Sequence, residues 1–116
     1  MKAIVIDKFG SPDVMRLDEV DTPQPGAEEV LIEVKASSVN PYDWHFLTGL
    51  PRIARPSMGG RKPIYPILGA DWAGVIAEVG EDVVGWSVGD EVFGQRAYAA
   101  WAEYLTIGQD WLVRKP

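Results

Sequence analysis

"ILGADWAGVIAEVGEDVVGWSVGDEVFG", Ile67 to Gly94, is the stretch on which the fold of this chain turns. Glycines stand at 69, 74, 80, 85, 89 and 94, four to six residues apart among valine and isoleucine. Such spacing suits short, sharply bent strands closing a small barrel, because bulges and corners need a residue without a Cβ. A dinucleotide fingerprint would instead require Gly-x-Gly-x-x-Gly between a strand and a helix. These glycines have neither that spacing nor an amphipathic helix behind them, so the structural role is preferred to a phosphate cradle.

Working outward, "EVLIEVKASSV" (Glu29 to Val39) places Val30, Ile32, Val34 and Ala36 on one face of a strand, with Glu33 and Lys35 on the other. "KAIVID" and "VMRLDEV" flank the turn residues "GSPD" (Gly10 to Asp13) and suggest an antiparallel pair. "WAEYLTIG", from Trp101, adds a further strand. The expectation is a mainly β domain of about six to eight strands with one or two short helices. Residues 51 to 63, "PRIARPSMGGRKP", have no usable period and read as a long exposed loop. Its Arg52, Arg55, Arg61 and Lys62 are by default solvated, an anionic cofactor tail being the functional alternative.

The totals narrow the function. The 116 residues are one domain's worth, small for a self-contained cofactor enzyme. A net charge of −6 argues against a nucleic-acid partner, which requires clustered Lys and Arg. No apolar run is long enough to span a membrane, and "MKAIVIDKFG" does not read as a signal peptide, so the expected location is cytoplasmic. With no cysteine and a single histidine, there is no disulfide, no thiolate nucleophile and no cysteine-containing zinc site.

That histidine lies in "SSVNPYDWHFLTG", Ser37 to Gly49, which reads as a strand-to-helix corner. Asn40 is placed for an N-cap, Pro41 for the first helical position and Gly49 for the stop. Asn40, Tyr42, Asp43 and His45 within one turn can present a donor, an acceptor and a titratable group to a cleft. The bland alternative for His45 is a partly exposed residue making one hydrogen bond, and for Asn40 the cap alone. Trp72, Trp86, Trp101 and Trp111 are scattered and read as packing residues, leaving Trp44 as the tryptophan placed to touch a ligand.

Taken in order, "VNPYDWHFLTG", "PILGADWAGVIAEVG", "VGWSVGDEVFG" and "WAEYLTI" resemble the amino-terminal, GroES-like domain of the medium-chain dehydrogenase/reductase superfamily, nearest its zinc-free quinone-oxidoreductase-like branch. The most specific pieces are Gly69, Asp71, Gly74 and Val75 followed by Val88 to Val92. The resemblance implies a small, partly open β-barrel occupying residues 1–116. In zinc-dependent relatives a cysteine ligand stands at the position of Asn40, a histidine ligand at Ala70 and a glutamate at Asp71. The four-cysteine structural-zinc lobe is replaced by "GQRAYAAWAEY". No zinc is therefore expected.

The resemblance further implies NADPH as cofactor of the complete enzyme, a quinone, activated alkene or carbonyl compound as small-molecule substrate, and a homodimer at full length. Tyr42 would donate to the substrate oxygen with His45 as its proton partner, Asp43 would orient the corner, and Asn40 and Trp44 would face the cofactor. Alternatively, Tyr42 and His45 line a pocket and solvent supplies the proton. Enzymes of this family carry a Rossmann domain after the barrel, whereas this chain stops at Lys115-Pro116, so an excised, inactive domain is expected. Two other readings stay open: a stand-alone GroES-like binding or oligomerisation module, and a zinc alcohol dehydrogenase, disfavoured by the missing ligands.

Overall fold

The computed structural model describes residues 1–50 and 66–116. The loop expected over 51 to 63, with its four basic residues, falls outside the described residues.

Among the described residues there are seven strands and one α-helix: β1 (Lys2–Val5), β2 (Arg16–Glu19), β3 (Glu29–Ser37), α1 (Pro41–Thr48), β4 (Asp71–Val79), β5 (Glu91–Gln95), β6 (Tyr104–Gly108) and β7 (Val113–Arg114). Short 3-10 turns at Pro12–Val14 and Gln109–Trp111 precede β2 and β7. β1 and β2 form the expected antiparallel pair, with Lys2 opposite Glu19 and Val5 opposite Arg16. The other five strands make an antiparallel sheet in the order β6, β3, β4, β5, β7. Isolated bridges from Ala3 to Ala102 and from Val5 to Ile67 tie β1 to the segments that lead into β6 and β4. The class is mainly β, as expected, and the sheet does not close on itself.

The core lies under the centre of the larger sheet. Val30 and Ile32 of β3, Trp72 and Ile76 of β4, Val92 of β5 and Leu105 and Ile107 of β6 form one buried cluster. Their alternation along each strand sends them to a common face, and burying each aliphatic side chain contributes roughly 1.5–3 kcal/mol. Gly74 permits a close approach between β3 and β4, since a Cβ there would collide with the carbonyl oxygen of Glu33. A smaller cluster of Ile6, Leu47 and Leu68 seats α1 against the body.

Two details differ from the sequence reading of β3. Leu31, which alternation places on the face of Glu33 and Lys35, is buried. Ala36, expected on the inner face, is exposed. A register shift explains it: Val34 pairs with Gly74 and Ala36 with Ala73, so Lys35 is an extra residue and the alternation resets there.

Candidate functional site

The corner after β3 forms as its sequence dictates. Asn40 has extended backbone, Pro41 opens α1, and Gly49 closes it in the left-handed conformation at φ 67°, donating its N–H to the carbonyl of His45 over 2.8 Å. Asp43 Oδ2 reaches back to accept the backbone N–H of Asn40 at 2.9 Å. That carboxylate is 2 % exposed. Burial and, to a smaller degree, the charge of Asp71 push its pKa up, while hydrogen bonds from the backbone N–H groups of Asn40 and Ala70 pull it down; the net direction is upward. Asp43 thus fastens the start of α1 to the segment leading into β4, and does so from inside the protein.

The amide of Asn40 is turned toward a second aspartate. Asn40 Nδ2 donates to Asp71 Oδ2 at 2.8 Å, Ser38 Oγ donates to the same oxygen at 3.1 Å, and Gln95 Nε2 donates to Oδ1 at 2.7 Å. Ser37 Oγ adds a bond to the Asp71 carbonyl at 2.6 Å. With Asn40 and Gln95 as the chief donors, the Asp71 carboxyl is held below the usual carboxylate range, against a smaller opposing effect of burial. It sits at the mouth of β4 because Gly69, at φ 103°, turns the chain where a Cβ would strike the Trp101 indole at 2.5 Å.

Two clefts meet at this carboxylate. One, of about 530 Å³, is lined by Asn40, Pro41, Tyr42 and Ala70 together with Asp71, Gln95, Arg96 and Trp111. The other, of about 760 Å³, shares Asp71, Gln95 and Trp111 and continues over Trp72, Phe93 and Val113. Both linings are mainly apolar, that of the larger cleft more so.

The structure therefore brings Asn40 and Tyr42 to one cleft, with the Tyr42 ring 4.9 Å from that of Phe46. Asp43 lies beneath it. His45 and Trp44 are exposed on α1 and pack edge-on against each other, ring centroids 5.2 Å apart. His45 Nδ1 is 2.7 Å from the carbonyl oxygen of Leu50, and neither His45 nor Trp44 is among the described residues lining the two clefts.

Trp111 corrects the sequence reading: assigned to packing, it is 70 % exposed and forms a wall common to both clefts. It is the last residue of the 3-10 turn at the surface, with its indole beside Gly108. Ser38 and Gln95 were also missed. Neither carries a local signal, since the carboxylate that unites them is 33 and 24 residues away in sequence. Among the described residues, no group of three or more His, Cys, Asp or Glu side chains is placed to hold a metal ion.

Comparison with known proteins matches residues 26–116 to the alcohol dehydrogenase GroES-like domain. A quinone oxidoreductase of Sus scrofa is 36 % identical over 119 residues, an alignment covering 100 % of this chain and 34 % of that protein. Among solved structures, the quinone oxidoreductase of Coxiella burnetii superposes with a TM-score of 0.86 at 33 % identity, over 100 % of this chain and 37 % of the other. That of Escherichia coli, in complex with NADPH, gives 0.85 at 28 % identity, over 100 % and 33 %. The chain thus spans about a third of the length of these relatives.

Proposed function

The chain belongs to the alcohol dehydrogenase GroES-like domain family, and from that membership we propose that it is the substrate-side domain of a zinc-independent, NADPH-dependent oxidoreductase acting on quinones, activated alkenes or carbonyl compounds. The observation that carries this reading is the corner itself. Where zinc-dependent relatives place metal ligands, this chain has Asn40 with its amide bonded to Asp71, and Ala70 with no donor atom at all. Such a set suits hydrogen bonding to an organic ligand better than transition-metal coordination.

The cleft beside Tyr42 offers a phenol, amide groups and a flat indole wall, a set that fits one face of a nicotinamide or a quinone ring. NADPH, when bound, supplies the hydride. The residues of this chain do the rest. Tyr42 donates its O–H to the acceptor oxygen on which negative charge develops. His45 is its proton partner: with Nδ1–H directed to the Leu50 carbonyl, Nε2 is left as acceptor. Asn40 contacts the nicotinamide or the substrate, and Asp43 keeps α1 seated. A Rossmann domain supplied by the remainder of a relative-length protein binds the nucleotide tail and dimerises.

Oxidation of NADPH with a benzoquinone and with an enone, by the full-length protein carrying this domain, is the test. Turnover is expected, and Tyr42→Phe should lower kcat about a hundredfold with the KM for NADPH unchanged. The 116 residues alone should turn over nothing measurable. Absence of oxidation with every acceptor sinks the reading, while an undiminished kcat in Tyr42→Phe assigns the proton to solvent.

A further inference from the structure

Gln95 stands where the two clefts join, lining both beside Asp71 and Trp111. Its Nε2 is 2.7 Å from Asp71 Oδ1, while Asn40 and Ser38 occupy Oδ2. A carboxylate only accepts, so the Gln95 amide is oriented in one sense, nitrogen toward Asp71 and carbonyl oxygen away. The side chain is exposed, and Oε1 is the part of it that Asp71 does not engage. The surroundings on one side are flat and apolar: Trp72, Phe93, Trp111 and Val113.

We propose that Gln95 is a ligand-contacting residue whose Oε1 accepts a hydrogen bond from the edge of a planar ring lying against Trp111, and that Asp71 is the positioning residue that fixes the amide. Aromatic walls take the face of such a ring, and one oriented acceptor sets its rotation. A ring lacking a donor gains only the apolar contact. The shared chemistry is a hydrogen-bond donor in the plane of the ring, and two sources provide it: the carboxamide of a nicotinamide and the hydroxyl of a quinol, the reduced product. A quinone itself has only acceptor oxygens at that edge, so this contact distinguishes product from substrate. The inference rests on the redox reading of the cleft.

The test is titration of the nitrogen-15-labelled full-length protein carrying this domain, followed at the Gln95 side-chain amide. Nicotinamide mononucleotide probes the cofactor source, hydroquinone the product source, and 1,4-dimethoxybenzene is the matched ring without a donor. At least one of the first two should shift the Gln95 amide signals, and the third should not. Gln95→Leu should weaken binding of that ligand about fivefold, the worth of one hydrogen bond.

Asp71→Asn and Asp71→Leu should weaken it similarly although Asp71 need not touch the ligand. In both variants the Gln95 amide signals should move toward those of a freely rotating amide, a change that a merely structural role for Asp71 would not produce. If one of the two fails to fold, the other decides. Shifts at Asn40 and Tyr42 with none at Gln95 overturn the inference and leave the redox reading standing. Equal shifts from all three ligands, no shift from any at the solubility limit, or unchanged affinity in Gln95→Leu also overturn it. NADPH oxidation by the full-length protein judges the redox reading separately.

Discussion

β4 passes through two environments in nine residues, and they are built on opposite rules. Toward its centre, Gly74 and Ile76 are enclosed between β3 and β5, with Ile76 at 1 % exposure. At its first residue, Asp71 stands at the rim, held by three polar side chains and open to two clefts. The central half is specified by volume, the rim by hydrogen-bond direction. A substitution at the centre is therefore read in stability, and one at the rim in ligand binding.

The harshest challenge to that division is Gly74→Val. The Cβ would collide with backbone of β3, which has no rotamer to change, so the strands must part. We expect loss of about 3 kcal/mol or more and little native signal in near-ultraviolet circular dichroism. Next comes Ile76→Ala, which leaves a cavity in the same layer and should cost about 2–5 kcal/mol in urea unfolding, without altering the clefts. A cost under about 1 kcal/mol would mean that the centre is less tightly packed than its burial implies.

The two aspartates sharpen the contrast through pH. Asp43→Asn should cost about 1–3 kcal/mol, because an amide cannot accept the two backbone N–H groups with both of its polar atoms. The folded pKa of Asp43 lies above its ordinary 3.8, so the folded state holds the proton more tightly than the unfolded one. Its linkage contribution is complete below the ordinary value and is lost as pH rises through the folded pKa. Asp71 has the reverse sign. Its folded pKa lies below 3.8, so its contribution is present above that value and is lost as pH falls through the folded pKa. Stability differences between the wild type and Asp43→Asn, and between the wild type and Asp71→Asn, should therefore slope in opposite directions across the acid range. Parallel slopes would contradict the two environments. The smallest effect is expected for Trp111→Ala, which should change stability by no more than about 0.5 kcal/mol, since the indole is largely solvated. A larger loss would mean that Trp111 belongs to the core after all.

What the sequence disclosed follows the same line. The strands were legible because alternation is local, and so was the corner, since Asn40, Pro41 and Gly49 each do what their backbones favour. The antiparallel pairing of β1 with β2 needed only one turn. Ala36 was misplaced because a bulge in β3 is set by its partner strand, not by its own pattern. In the candidate site, Asn40 and Tyr42 were visible as neighbours in one motif, and Asp71 as a member of another. That Asp71 gathers Asn40, Ser38 and Gln95 was not visible, because no propensity couples residues on three segments. Gln95 lay in a stretch notable only for the cysteines it lacks, and a tryptophan count does not say which indole faces water.

The Asp71 carboxylate also has a history within each folding event. Its side-chain partners sit 24, 31 and 33 positions away, so the Ser38 and Asn40 bonds wait on the pairing of β3 with β4, and the Gln95 bond on that of β4 with β5. Contacts of that separation are made late, after loop closure has been met by the hydrophobic layer. On a ribosome, the chain must have emerged beyond Gln95 before the cluster exists at all. The rim is thus a record of assembly: its complete set of bonds exists only in molecules whose central strands are in register.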